Sequence, residues 1–198
     1  MRRKPTRFLR VARRVAEAIG EEDCLLAGGL AVMAHGFVRG TRDVDLITRL
    51  PLPEAQERLG RRGLRTRLHR GNPLEGDFPC LKGESEGVPF DVLPQIVPVH
   101  WDAAPAVGAR DGDGLRVVPL GDLLALKIKA GGVRDLMDAA VLVRLHPDTE
   151  AQARALATAY SALDRFEIWL HDPRTQAQAR AEASFESRRS KRRRPARR

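Results

Sequence analysis

Leu26-Ala27-Gly28-Gly29-Leu30-Ala31 and, with thirteen residues between the second glycine and its first acid, Asp43-Val44-Asp45-Leu46-Ile47 are the two stretches whose reading decides this chain. Side chains of a strand alternate between its faces, so over 43–49 Asp43 and Asp45 project together while Val44 and Leu46 point the other way. Two carboxylates on one face repel unless positive charge lies between them. A hard divalent cation such as Mg²⁺, held by one or two carboxylates together with the phosphates of a nucleotide, is the usual solution. Gly28-Gly29 follows a short apolar run, Cys24 to Ala27, and precedes a small-residue helix from Leu30 to about His35. Its backbone N–H groups are free to approach phosphate, helped by the helix N-terminus. The plain alternatives are a tight turn and an exposed edge strand with alternating acids.

Working outward, 5–20 places Phe8, Leu9, Val11, Ala12, Val15 and Ala16 at helical spacing, which predicts an amphipathic opening helix ending at Gly20. Pro51 and Pro53 lead into a second charged helix over 54–62, and strands follow at 64–69, 78–83, 88–93 and 115–118. Asp111-Gly112-Asp113-Gly114 begins like a calcium loop but lacks the later ligands, so a hairpin or loop is expected there. Helices are predicted over 120–130, 133–145 and 150–170, with breaks at Gly131-Gly132 and Pro147. The chain is polar after about 172 and low-complexity basic after 187. This pattern implies an α/β (α+β) class, a mixed sheet flanked by helices. The expected organisation is a core over 1–118, a helical region over 119–172 packing on it, and a polar to basic tail over 173–198 without regular structure.

The 198 residues, 42% of them hydrophobic, suffice for one well-cored domain and an appended helical piece. The net charge of +9 is concentrated at the ends: residues 1–14 hold seven Lys or Arg and 187–198 hold eight, neither segment has an acid, and 15–186 carries −6. Such termini suit sequence-independent contact with RNA phosphates, or act as a solvated tail. Two cysteines make no disulfide framework, and no apolar run approaches the roughly 20 residues of a membrane span. No partner membrane and a cytoplasmic location are expected. Zinc-ligand spacing, a His-Glu-x-x-His helix and a nucleophile elbow are all missing from the sequence.

Leu26-Ala27-Gly28-Gly29-Leu30-Ala31, then His35-Gly36, Arg39, Thr41, Asp43 and Asp45, resemble the signature of the DNA polymerase β-like nucleotidyltransferase superfamily, and within it the small bacterial AbiEii-like, toxin–antitoxin branch. A second block, Lys127, Arg134-Asp135 and Asp138, is similar to that branch's helical Lys followed by Arg-Asp and a further Asp. The resemblance covers about 24–48 and 120–142. It implies a nucleotidyltransferase-fold core and metal-dependent transfer of a nucleoside monophosphate from an NTP to an acceptor hydroxyl. Asp43 and Asp45 would hold two Mg²⁺ ions ~3.5–4 Å apart.

Such a site needs a third carboxylate. Asp91 is the choice, because Val88-Pro89-Phe90-Asp91-Val92-Leu93 is an apolar run interrupted by one acid, and a charge in a buried strand is costly unless paired or metal-bound. A solvated strand edge is the alternative for Asp91, and Asp77, in a Gly- and Asn-Pro-containing turn, is a weaker candidate. Gly28, Gly29, Arg39, Thr41 and Lys127 are expected around the triphosphate, Lys127 from a helix docked through Leu123, Leu124 and Leu126. Arg134 and Asp135 read as an orienting ion pair and His35 as a packing residue. The acceptor is expected to be an RNA 3′ end such as tRNA, or a protein, with a cognate toxin or antitoxin as a further partner and phage defence as a setting. The rival readings are a catalytically inactive antitoxin or nucleic-acid-binding protein of the same fold, and a small-molecule transferase of the aminoglycoside type.

Overall fold

The structure is a computed structural model that describes residues 6–72, 75–107 and 114–193, with side chains through 185. Helix α1 (Arg7–Ile19) starts where the Thr6 hydroxyl accepts the Leu9 N–H, and it buries Val11, Ala12, Val15, Ala16 and Ile19 along one stripe. Gly20, at φ 120°, closes it. Strand β1 (Cys24–Leu26) is fully buried and runs into α2 (Gly28–Ala34). Strand β2 (Val44–Thr48), helix α3 (Leu52–Arg61) and strands β3 (Thr66–His69), β4 (Cys80–Ser85) and β5 (Val88–Pro94) complete a five-stranded sheet of order β1-β2-β5-β4-β3.

The sheet is mixed. The β2 and β5 strands run parallel and all other neighbours run antiparallel. Glu86 and Gly87, both with positive φ, form the two-residue turn between β4 and β5, the geometry that suits the twist of a hairpin. Leu46, Phe90, Val92 and Leu81 fill one face, which α1 and α3 cover. The other face carries the polar residues described below. Two short strands, β6 (Ala106–Val107) and β7 (Leu115–Arg116), pair beside β1, and β6 has no counterpart in the sequence pattern. The acidic turn expected at 111–114 lies, over 111–113, outside the described residues.

The helical region begins with α4 (Leu120–Ala130), ended by Gly131 in the left-handed conformation at φ 65°, and α5 (Val133–Leu145). The single helix expected over 150–170 is two, α6 (Glu150–Ala159) and α7 (Leu163–His171), because Ser161 adopts φ 53° and reverses the chain. The reversal lets Ala162, Phe166 and Leu170 bury against α5 while Ala153 and Ala157 pack on α4. The tail expected without regular structure is helical over 173–193, and its last residues, 194–198, lie outside the described residues. Helix α8 (Pro173–Arg193) forms there, since Thr175, Ala179 and Glu182 at four- and three-residue spacing are buried and the helix packs on α5.

Candidate functional site

A cavity of about 340 Å³ lies on the open face of the sheet. Its floor is made of alternate residues from three strands: Asp45 and Ile47 of β2, Asp91 and Leu93 of β5, Cys80 and Lys82 of β4. Helix α4 supplies one wall with Leu123, Leu126 and Lys127, and Ala27-Gly28 and Phe78 close the sides. Asp45 and Asp91 stand directly opposite one another in the parallel β2–β5 pair, so the two acids that the sequence nominates from separate strands share a face and a rung.

Asp45 decides the local backbone. A methyl group on Gly28 would lie 1.7 Å from its Oδ2, and Gly28 itself has φ +53°, so only glycine fits. The Gly29 N–H hydrogen-bonds to the Asp45 carboxylate. A methyl group on Gly29 would meet the Thr41 hydroxyl at 2.6 Å. The glycine pair is therefore a cradle for one carboxylate. Asp45 is half-buried, with one side open to the cavity, and its pKa is raised to about 6. Burial is the largest cause; Asp43 adds to it, Lys127 opposes it and Asp91 adds again.

The other expected residues take these places. Asp43 stands just before β2, off the cavity lining, and accepts a 2.9 Å hydrogen bond from the Thr41 hydroxyl. Arg39 is bound in a bidentate pair to Asp138, Nε to Oδ1 at 2.7 Å and Nη2 to Oδ2 at 2.6 Å. Asp138 is fully buried and its Oδ2 also receives Lys127 Nζ at 3.1 Å. Lys127 Nζ is 2.5 Å from Asp135 Oδ1; burial pulls the ammonium pKa down, but the two carboxylates together hold it above its ordinary value. Arg134 does not pair with Asp135: it donates to the Gly40 carbonyl at 2.8 Å, because Asp135 is taken by Lys127. His35 is a packing residue whose Nε2 meets the Val118 carbonyl at 2.8 Å. Asp77 lies in its loop with His69 Nε2 at 2.8 Å.

Among the described residues, no three His, Cys, Asp or Glu side chains lie together as a ready metal site. The expected triad is thus only partly assembled: Asp45 and Asp91 are neighbours, while Asp43 is held by Thr41 and Asp91 by Lys82, whose Nζ is 2.8 Å from Asp91 Oδ2. The donors are nevertheless of the right chemistry for a hard divalent cation. They are carboxylate oxygens, and the burial and, after it, the carboxylate repulsion that raise Asp45 are what such an ion relieves. Cys80 is no nucleophile, since burial and the nearby Asp91 push its thiol up to about 11.

No family model matches the sequence, and no curated protein matches it. The fold, by contrast, has solved counterparts. ANT(2″)-Ia in complex with adenylyl-2″-tobramycin superposes with a TM-score of 0.53 at 14% identity, covering 77% of this chain and 98% of that one. JHP933 from Helicobacter pylori covers 94% of this chain and 97% of its own at 12% identity, TM-score 0.40, and the Megavirus polyadenylate synthase covers 84% and 35% at 13% identity, TM-score 0.39. The chain has a nucleotidyltransferase fold.

Within the nucleotidyltransferase fold, two features carry no signal in the sequence pattern. One is Lys82, which alternation alone cannot tell from a solvated strand lysine; the signal is its register opposite Asp91 across the β4–β5 hairpin, Lys82 to Asp91 in the same ladder that pairs Ser85 with Val88. The other is the role of Asp138, 99 residues from Arg39, as the buried hub that joins that arginine to Lys127. No described helix is long and apolar enough to cross a membrane.

Proposed function

We propose that this protein transfers a nucleoside monophosphate from an NTP to an acceptor hydroxyl. The observation that carries the reading is Asp45 set rung to rung with Asp91 on a cavity floor, its carboxylate cradled by Gly28 and Gly29. In the reaction the acceptor oxygen bonds to the α-phosphorus, the bond from that phosphorus to the bridging oxygen of the β,γ-diphosphate breaks, and pyrophosphate leaves with the electron pair. Asp43, Asp45 and Asp91 would hold Mg²⁺, which supplies neutralisation of the phosphate charge. Asp91 takes the hydroxyl proton on Oδ1, the oxygen that Lys82 leaves free. Lys127, whose ammonium stays charged between two carboxylates, presents positive charge at the cavity wall to the departing phosphates. Phe78, Ile96 and Leu126 keep that wall apolar and limit water.

On the residue pattern of the two sequence blocks, the reading extends to the AbiEii-like branch with a toxin or antitoxin partner, for which co-purification with the product of a neighbouring gene is the test. The inactive, nucleic-acid-binding alternative is favoured by one observation, the incomplete gathering of the three acids. One assay separates the two. Purified protein with Mg²⁺ and total RNA or lysate is given ATP labelled at the α- or the γ-phosphate, and the α label alone is expected in product. Asp91→Asn should reduce this at least 100-fold. Transfer of the γ label, or an Asp91→Asn enzyme as active as wild type, refutes the proposal; no transfer of either label leaves the binding reading in its place.

A further inference from the structure

The acids on the cavity floor do not end the polar row to which they belong. Reading across the sheet from its buried centre to its free edge, the ladder pairs Asp45 with Asp91, Asp91 with Lys82, and Lys82 with Arg67. Directly opposed residues in neighbouring strands share a face, so four charged side chains stand in one line over β2, β5, β4 and β3, two carboxylates followed by two cations. Strand spacing of about 4.8 Å puts Arg67 roughly 10 Å beyond Asp91. Arg67 is exposed on the edge strand and the segment 61–70 around it holds five arginines and no acid. Of the acids near the row, Asp77 and Asp135 are already held by His69 and Lys127, and Glu84, on the same face of β4 two residues from Lys82, is exposed toward the hairpin end.

We infer that Lys82 and Arg67 form the acceptor track of the transferase, and that the acceptor is the 3′ end of a polynucleotide strand that crosses the β3 edge toward Asp91. The inference rests on the nucleotidyl-transfer reading of Asp45 and Asp91 and names the substrate class of that same site. Two cations in register, backed by a run of exposed arginines, match successive phosphates along a strand; they repel a cationic polyhydroxylated acceptor. Lys82 has three N–H donors and spends one on Asp91 Oδ2, and its side chain is 34% exposed, so it can meet a phosphate while still fixing Asp91. Lys82 is thereby a positioning residue: the arriving strand and the proton-accepting carboxylate are aligned by one ammonium group.

The test is fluorescence anisotropy of a fluorescein-labelled single-stranded RNA dodecamer with the full chain, in EDTA and without NTP, over a salt series. Arg67→Gln, which alters only an exposed side chain, and Lys82→Gln are each expected to weaken binding about 3- to 10-fold and to lower the slope of log K against log salt by about 0.7. Lys82→Arg should restore binding, and Arg180→Gln, on α8, should match wild type. RNA that does not bind wild type, or that binds Arg67→Gln and Lys82→Gln as tightly as wild type, overturns the track, as does labelling of an aminoglycoside but not RNA in the transfer assay. Because this measurement needs no turnover, Arg67-dependent binding without any transfer would overturn only the catalytic reading, whereas transfer to RNA that ignores Arg67 and Lys82 would overturn only the track.

Discussion

Two charge clusters face each other across the glycine turn, and they are built on opposite principles. Behind the turn, Arg39 and Lys127 meet Asp138 and Asp135, two cations against two carboxylates, with Asp138 fully buried and bonded through both oxygens. In front of it, Asp45 and Asp91 share a rung with Asp43 just outside the cavity lining, Lys82 is the direct cationic contact among the described residues, and burial together with the neighbouring carboxylates drives Asp45 up to about 6. A balanced buried network fixes geometry; an unbalanced one stores repulsion that a cationic ligand can relieve. The first is therefore the frame, which also holds Lys127 at the cavity wall, and the second is the working site.

The largest effect should come from breaking the frame. Asp138→Ala leaves two buried cations without their shared carboxylate and is expected to cost about 3–5 kcal/mol, a fall in melting temperature on the order of 10 °C. A loss under about 1 kcal/mol would mean that the network is not the frame.

Asp45→Asn should do the reverse. A folded-state pKa raised to about 6 from 3.8 means that the fold favours the protonated acid, so the stability tied to that proton is full below about pH 4 and is lost as pH rises through about 6. At neutral pH the wild type carries that cost, at most about 2–3 kcal/mol for a half-buried group, and the amide does not. Asp45→Asn is thus expected to melt higher than wild type at neutral pH, to lose the advantage below about pH 4, and to be inactive. A lower melting temperature at neutral pH would show that Asp45 belongs to the frame instead.

Between the two clusters sits Gly28. Gly28→Ala drives a methyl into the Asp45 carboxylate and is expected to cost about 1–3 kcal/mol together with activity, and the added change Asp45→Gly should recover most of the stability but no activity. Equal losses in the single and double variants would contradict the cradle.

Much of the working site is legible in the residues themselves, because its signals are local. The glycine pair, the acid alternation before Leu46, and Asp91 alone in an apolar strand each violate a bland pattern within six or seven positions. The frame is not legible in that way: Arg39 and Asp138 are 99 residues apart, and an arginine expected on phosphate turns out to be bound to a buried acid that only the packing of α5 brings near. Lys82 was hidden for a related reason, since strand alternation says which face a residue takes but not what stands opposite. Ser161 breaks a helix with neither glycine nor proline, and α8 forms from a polar segment in which, among the described side chains, burial of Thr175, Ala179 and Glu182 is enough to seat it. The smallest predicted effect concerns the basic end. Removal of 187–198 should weaken RNA binding less than 3-fold at physiological salt, well under the loss from Arg67→Gln, and leave NTP binding unchanged; a tail that carries most of the affinity would move the RNA contact away from the sheet edge.

The central claim is that the cost of a buried charge at Asp45, sharpened by its neighbouring carboxylates, is relieved by a cation-bound nucleotide, and thermal melting with Mg²⁺ and ATP tests it most directly. Wild type should gain several degrees with the two together and little with either alone, while Asp45→Asn, already more stable, should gain nothing. Equal gains in both proteins would contradict it.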